Sequence, residues 1–261
     1  MDILNEIVRH KKSEVEMRRE QVSVEDLQQS EFYNRTTVSM VAHLRDPEKS
    51  GIIAEFKRKS PSKGIINDRA EVGQVTQGYT RAGASGLSVL TDQVFFGGTS
   101  EDLIKARGAN SCPILRKDFI IDPYQVYETK SIGADVILLI ARILGQAQLK
   151  ELAVLAKGLG LEILMEVHTE EELAKACDEV DILGVNNRNL VTFDTSIENS
   201  KSLAAKIPAG FLKISESGIH TSEHIHALRS YGFEGFLVGE RFMATSDPIQ
   251  ACSDFISATK K

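Results

Sequence analysis

Short apolar or β-branched runs alternate with longer segments of helical period from Gly51 to the end of the chain. This alternation is typical of repeated strand–helix units whose strands run parallel. The sequence contains eight predicted strands: IIAEF, GLSVL, PILRK, DVILLI, EILMEV, ILGVN, FLKIS and GFLVG. Their number and their spacing of roughly 20 to 30 residues predict an α/β fold, a closed (β/α)8 TIM barrel.

An open, doubly wound sheet is the alternative architecture. In a dinucleotide-binding protein, such a sheet normally carries a G-x-G-x-x-G turn after its first strand. Here the first strand continues into EFKRKSPSKG, which has no such turn. The strand count and the missing turn therefore favour the barrel.

The first part of the chain is predicted to be a helical extension of the barrel. Residues 1–48 contain an amphipathic helix, Ile3 to Gln21, and a second short helix at residues 24–29. We expect residues 49–261 to form the catalytic barrel. The extension either caps the bottom of the barrel, folds over its mouth or stays solvated, and the pattern alone leaves these alternatives open.

Composition narrows the classes of partner. The chain has 261 residues, 42% of them hydrophobic, and a net charge of −6 without long blocks of one sign, which argues against nucleic acid. No apolar run approaches the roughly 20 residues that span a bilayer. Three widely spaced cysteines predict a reducing, cytoplasmic compartment. We expect no metal, no membrane partner, and a monomer or weak homo-oligomer.

Polar side chains collect at the carboxyl ends of the strands, where barrel active sites lie. Successive strand residues point to opposite faces of the sheet. The uniformly apolar face packs under the helices, so polar residues on the other face point into the barrel. The inward residues are predicted to be Glu55, Lys57, Lys117, Phe119, Glu166, Asn186 and Arg188. One inward charge is usually a structural ion pair, but charges from four strands indicate a catalytic centre.

Such crowding has chemical consequences. Neighbouring cations and burial are expected to lower the pKa of a lysine toward neutrality, and burial is expected to raise that of a carboxylate. The centre could then supply both a general acid and a general base.

Two further features suggest an anionic ligand with an apolar part. Ser60 and Lys63 lie in the loop after the first strand, and the turns SESGIH and VGERF follow the seventh and eighth strands, where barrels often bind phosphate. Gly218 and Gly239 allow close backbone approach, and Ser217 adds a hydroxyl. An apolar slot is predicted from Phe96, Phe119, Leu139 and Leu190.

Eight segments together resemble the indole-3-glycerol phosphate synthase family: AEFKRKSPSKG, LTDQVFFGG, PILRKDFIIDPYQV, GADVILLI, LEILMEVHTEEEL, GVNNRNLVTF, ISESGI and FLVGERFM. The resemblance implies ring closure of 1-(2-carboxyphenylamino)-1-deoxyribulose 5-phosphate with loss of CO₂ and water. It also implies that the reaction needs no cofactor.

The resemblance assigns roles to individual residues. It implies that Lys117 protonates the ketone and that Glu166 is the base or the electrostatic partner of the cationic intermediate. Lys57 is similar to the lysine that binds the substrate carboxylate and could be a second proton donor. Glu55 would orient it or act as a base, and Asn186 would position the substrate.

The remaining assignments concern binding. The pocket border would comprise Arg188 and Leu190, and the mouth Glu216 and Ser217. The phosphate cradle would comprise Ser60, Gly218, Gly239 and the backbone of Glu240, and the aromatic slot Phe96, Phe119 and Leu139. Some relatives carry serine at Glu240, so we expect its carboxylate to turn away from the phosphate.

Three rivals remain from the sequence. A phosphosugar isomerase barrel would share the phosphate site. A class I aldolase would use an inward lysine as a Schiff base. A non-catalytic barrel would bind the ligand without turnover.

Overall fold

A computed structural model describes residues 3–189 and 192–259. The strands are β1 (Ile52–Phe56), β2 (Lys59–Ser60), β3 (Gly64–Ile65), β4 (Gly86–Leu90), β5 (Ile114–Lys117), β6 (Val136–Ile140), β7 (Glu162–Val167), β8 (Ile182–Asn186), β9 (Leu212–Glu216) and β10 (Gly235–Val238). β2 and β3 pair as an antiparallel hairpin, and the other strands close a parallel barrel in chain order. The predicted (β/α)8 fold and all of its predicted strands are therefore confirmed.

Within the part of the chain that the structure describes, three helices precede the first barrel strand, and the others follow the barrel strands in chain order. They are α1 (Ile3–Gln21), α2 (Val24–Gln28), α3 (Met40–Arg45), α4 (Val72–Arg81), α5 (Gln93–Phe96), α6 (Ser100–Ala109), α7 (Pro123–Ser131), α8 (Gln146–Gly158), α9 (Glu170–Leu173), α10 (Glu198–Ala204), α11 (Ser222–Ser230), α12 (Glu240–Met243) and α13 (Pro248–Thr259). None of the helices in the described ranges is long and apolar enough to cross a membrane.

Alternate strand residues enter two different apolar layers. One row packs against the surrounding helices, as Ile52, Ala54 and Phe56 of β1 do. The other row points into the barrel and includes Ile53 and Leu164. Burial on both faces explains why several strands read as unbroken apolar runs.

The helices before the barrel cover both of its ends. Leu4 and Ile7 of α1 pack with the inward barrel residues and line the cavity at the carboxyl ends of the strands. Met40 of α3 packs at the opposite end, against Gly86, the first residue of β4. A Cβ on Gly86 would lie 2.4 Å from the sulfur of Met40, so glycine is required there. The division into residues 1–48 and 49–261 stays a prediction.

Candidate active site

A cavity of about 170 Å³ opens at the carboxyl ends of the barrel strands. Its walls combine strand ends, the loops that follow them and the first turns of α1. The sequence-predicted residues that line it are Glu55, Lys57, Ser60, Phe96, Lys117, Phe119, Glu166, Asn186, Arg188, Glu216, Ser217, Gly218, Gly239 and Glu240. The residues that strand parity predicted to point inward, Glu55, Lys57, Lys117, Phe119, Glu166, Asn186 and Arg188, therefore line one cavity.

One predicted slot residue, Leu139, lies elsewhere. Leu139 of β6 points outward into the layer between the barrel and its helices, so the prediction that it lines the slot is wrong. Its neighbours Leu138 and Ile140 line the cavity instead, because adjacent strand residues face opposite sides. Leu190 lies outside the described residues.

Lys117 lies between two carboxylates at the centre of the cavity. Its Nζ is 2.7 Å from Oε2 of Glu166 and 2.6 Å from Oε2 of Glu216. The amide of Asn186 donates to Oε1 of Glu166 at 3.0 Å. Gly184 makes room for this arrangement, since a Cβ there would lie 2.4 Å from Oε1 of Glu216. Glu216 is therefore a central residue of the site, whereas the sequence predicted it at the mouth.

Burial and close charges shift the pKa values of all three groups. For Lys117, burial favours the neutral amine, but Glu166, Glu216 and Glu55 outweigh it and raise the pKa. For Glu166, burial opposes ionisation, but Lys117 and His168 lower the pKa to about 2. For Glu216, burial together with the charge of Glu166 raises the pKa to about 7 despite Lys117. The expectation of a lowered lysine pKa is therefore wrong for Lys117, because its nearest neighbours are carboxylates.

A second lysine–carboxylate pair stands beside the first. Nζ of Lys57 donates to Oε1 of Glu55 at 2.6 Å, and both side chains line the cavity. Glu55 is only 3% exposed and packs against the backbone of Gly239. A Cβ at position 239 would approach Oε1 of Glu55 to 2.7 Å, so this glycine lets the β10 turn lie against the carboxylate.

Groups suited to an anion lie at the outer end of the cavity. Ser217 and Gly218 both adopt left-handed backbone, with φ of 66° and 69°. The carboxylate of Glu240 lies near two cations: Oε2 is 3.4 Å from Nη2 of Arg188, and Oε1 is 3.6 Å from Nζ of Lys63. Glu240 thus holds the two cations that a phosphate would attract. The orientation of its carboxylate away from a bound phosphate stays a prediction.

An apolar wall completes the cavity. The rings of Phe96 and Phe119 are 5.9 Å apart between centroids, at an interplanar angle of 41°. Leu4 and Ile7 of α1 add aliphatic surface from above. The cavity therefore combines an apolar wall with a buried lysine–carboxylate centre, and Arg188 and the glycine-bearing turns line it as well.

The sequence model of the indole-3-glycerol phosphate synthase family matches residues 4–255. The chain belongs to this family. The indole-3-glycerol phosphate synthase of Bacteroides thetaiotaomicron is 47% identical over 257 residues, covering 98% of each chain. That of Polynucleobacter necessarius is 42% identical over 265 residues, covering 98% of this chain and 99% of the relative.

A solved structure supports the fold independently. The barrel of 3-hexulose-6-phosphate synthase from Salmonella typhimurium matches with a TM-score of 0.61 and 10% identity, covering 80% of this chain and 98% of that one. At this identity the likeness concerns the fold alone.

Membership of the indole-3-glycerol phosphate synthase family confirms the predicted function. The family consists of lyases of tryptophan biosynthesis that close the indole ring with decarboxylation, and a phosphorylated small-molecule substrate fits it.

Within the described residues, no group of three or more His, Cys, Asp or Glu side chains is arranged to hold a metal ion. The predicted oligomeric state stays a prediction.

Sequence reasoning missed two features of this site. The roof of Leu4 and Ile7 was not assigned, because the amphipathic pattern of α1 does not say which surface the helix covers. His168 was also overlooked, although it lies two residues after Glu166 and lines the same cavity. Continuing the inward row of β7 by one step would have found it.

Proposed function

We propose that the chain catalyses the ring closure of its family with the central lysine as general acid. Lys117 protonates the ketone oxygen of the carboxyphenylamino-deoxyribulose phosphate while the aromatic carbon attacks. The observation that carries this assignment is the contact of Nζ with two buried carboxylates, at 2.7 and 2.6 Å. They keep the amine charged, so a proton is available for donation at neutral pH.

The neighbouring carboxylates complete the acid–base set. Glu166, whose pKa is low, is anionic and stabilises the cationic intermediate after ring closure. The bond from the attacked ring carbon to the carboxylate then breaks, releasing CO₂ and returning its electron pair to the benzene ring. Glu166 next acts as the base that removes a proton from the CH₂ beside nitrogen, as the new hydroxyl leaves as water and the indole becomes aromatic. Asn186 fixes its orientation through the 3.0 Å hydrogen bond.

The pair of Lys57 and Glu55 binds the carboxylate of the substrate and assists the loss of water. Lys57 binds the substrate carboxylate and is the second proton donor, and Glu55 orients it through their 2.6 Å contact. Lys117 thus acts in condensation and Lys57 in dehydration, and separate kinetics of the two steps test this division.

The binding roles follow the layout of the cavity. Phe96 and Phe119 hold the aromatic ring, with Leu138 and Ile140 in place of Leu139. Arg188 and the turns at Ser60, Ser217, Gly218, Gly239 and the Glu240 backbone hold the phosphate. Because Cys112, Cys177 and Cys252 are free thiols, we also propose a reducing, cytoplasmic location.

Indole fluorescence of purified protein with this substrate, without metal or cofactor, tests the proposal. We expect Lys117→Met to reduce kcat by ~10² to 10⁴, the usual contribution of a placed general acid. Lys105→Met is the matched control, because that side chain is 58% exposed on α6. Thermal melting and equilibrium dialysis of the substrate separate loss of chemistry from loss of fold or binding. A Lys117→Met variant within tenfold of wild type would overturn the assignment.

A class I aldolase is disfavoured on the same geometry. Schiff-base formation needs a neutral amine, whereas Glu166 and Glu216 hold Lys117 in its charged form. Borohydride with a carbonyl substrate should therefore leave the protein unlabelled.

A further inference from the structure

His168 is a buried imidazole that the proposed mechanism does not use. It follows β7 on the same inward row as Glu166, and its side chain is 8% exposed. Neither ring nitrogen makes a hydrogen bond within the described ranges, although both are buried. A buried imidazole without hydrogen bonds is costly, so its surroundings need an explanation.

Two carboxylates flank the ring on opposite sides. Nε2 lies 3.7 Å from Oε1 of Glu166, and Nδ1 lies 3.5 Å from Oε2 of Glu172. Both gaps exceed an ordinary hydrogen bond by roughly 0.5 to 0.8 Å, within the range that closes when a catalytic complex forms. The ring therefore bridges a residue of the active site and a residue of the helix behind it.

Glu172 is held firmly in place. Its Oε2 accepts the backbone N–H of His168 at 2.6 Å, and its own N–H donates to the hydroxyl of Thr169, the residue that caps α9. Glu172 is buried, whereas the adjacent Glu171 is exposed. Of these two neighbouring acids, only Glu172 serves the site.

The result is a row of five ionisable groups with alternating charge: Glu172, His168, Glu166, Lys117 and Glu216. Such alternation lets each buried charge face its opposite, which offsets the cost of removing it from water. Burial disfavours the charged imidazole, but Glu172, Glu166 and Glu216 together raise the pKa of His168. For Glu172, burial opposes ionisation, but His168 and, more weakly, Arg142 lower the pKa.

We propose that His168 is a positioning residue: an imidazolium clamped between Glu166 and Glu172 that keeps Glu166 anionic and aimed at the substrate. The inference deepens the proposed function and rests on it, because it acts through Glu166. The proposal predicts that kcat falls when the imidazolium of His168 loses its proton, because Glu166 then has no cation on the side that faces His168. Glu172 sets the pH at which this happens.

Three variants test the proposal by kcat and KM across pH. His168→Asn should lower kcat about tenfold or more while KM stays within roughly twofold. Glu172→Gln keeps an acceptor for the backbone N–H but removes the charge. It should move the alkaline limb of the kcat profile to lower pH by about one unit. Glu171→Gln, the matched control on the exposed position, should leave the profile unchanged.

NMR titration of the imidazoles supplies a readout without substrate. The His168 signal is assigned by its loss in His168→Asn, and its midpoint should fall in Glu172→Gln but not in Glu171→Gln. Wild-type kcat in His168→Asn, or identical alkaline limbs and midpoints in the two glutamate variants, would overturn the proposal. If His168→Asn does not fold, the glutamate pair decides. Absence of turnover in wild type would refute the proposed function, while the titration would still report on the clamp.

Discussion

A buried lysine anchors the N-terminal half of α1 over the mouth of the barrel, while Arg18 pairs with Glu128 near the other end of the helix. Lys11 is 1% exposed, and its Nζ lies 2.9 Å from Oδ2 of Asp92 and 3.0 Å from Oδ1 of Asp118. These aspartates follow β4 and β5, so the lysine ties the helix to the ends of two barrel strands. We predict that Lys11→Met detaches α1 and with it the Leu4–Ile7 roof of the cavity.

The magnitude follows from what each aspartate keeps. Asp118 retains Nη2 of Arg116 at 3.1 Å and the hydroxyl of Thr91 at 2.6 Å. Oδ2 of Asp92 has no hydrogen-bond partner in the described structure beyond its ion pair with Lys11. Oδ1 of Asp92 still accepts the Phe95 N–H at 2.8 Å, so the variant leaves Oδ2 and the negative charge of Asp92 buried without a cation. Breaking a buried pair in this way costs about 3–5 kcal/mol. Adding Asp92→Asn to Lys11→Met removes the unpaired buried charge and should restore most of the lost stability.

Hydrogen exchange of the α1 amides measures the free energy of opening the helix directly. Lys12→Met is the matched control, because Lys12 is the adjacent lysine and is exposed. KM should rise in Lys11→Met, since the apolar roof is lost, and should recover in the double variant. An opening free energy within about 1 kcal/mol of wild type, or a double variant no better than the single, would refute the anchoring role.

Two further predictions concern charge at the centre and at the mouth. Because the pKa of Glu216 is raised from 4.5 to about 7, its contribution to stability is complete below pH 4.5 and is lost as pH rises through 7. Glu216→Gln should abolish this decline, on the order of 3 kcal/mol, in urea unfolding at pH 4.5 and 8; an unchanged slope would contradict it. Glu240→Gln should tighten inhibition by inorganic phosphate roughly threefold to tenfold, because the carboxylate no longer competes for Arg188. An unchanged or weaker inhibition constant would show that Glu240 does not compete.

Strand parity predicted which residues of β1, β5, β7 and β8 face the cavity, whereas β6 offered no contrast between its two faces. In β1, Glu55 interrupts the inward row, so the two faces could be told apart. In β6, the run VILLI is apolar and buried throughout, so nothing in it distinguishes Leu139 from Leu138. A parallel strand buried on both faces carries no parity signal of its own, and its register depends on neighbouring strands.

The electrostatics of the site could not be predicted from local sequence. Lys117 and Glu216 are 99 positions apart in the chain, yet they are in contact. The sequence predicted inward lysines from separate strands and hence a lowered pKa for a lysine among cations. The fold instead alternates lysines with carboxylates, which reverses the sign of the shift for Lys117. The roof of α1 was equally hidden, since its anchor depends on aspartates far along the chain.

Alternating charge also explains how the centre can exchange a proton at neutral pH. The row from Glu172 to Glu216 contains three carboxylates and two cations, so with every group ionised it carries one excess negative charge. The excess is relieved by one proton, and Glu216 takes it with a pKa of about 7. In the proposed mechanism, Lys117 gives its proton to the substrate and the adjacent carboxylic acid of Glu216 replaces it. The proposed phosphate site is beside Arg188, which lines the same cavity but does not belong to this charged row.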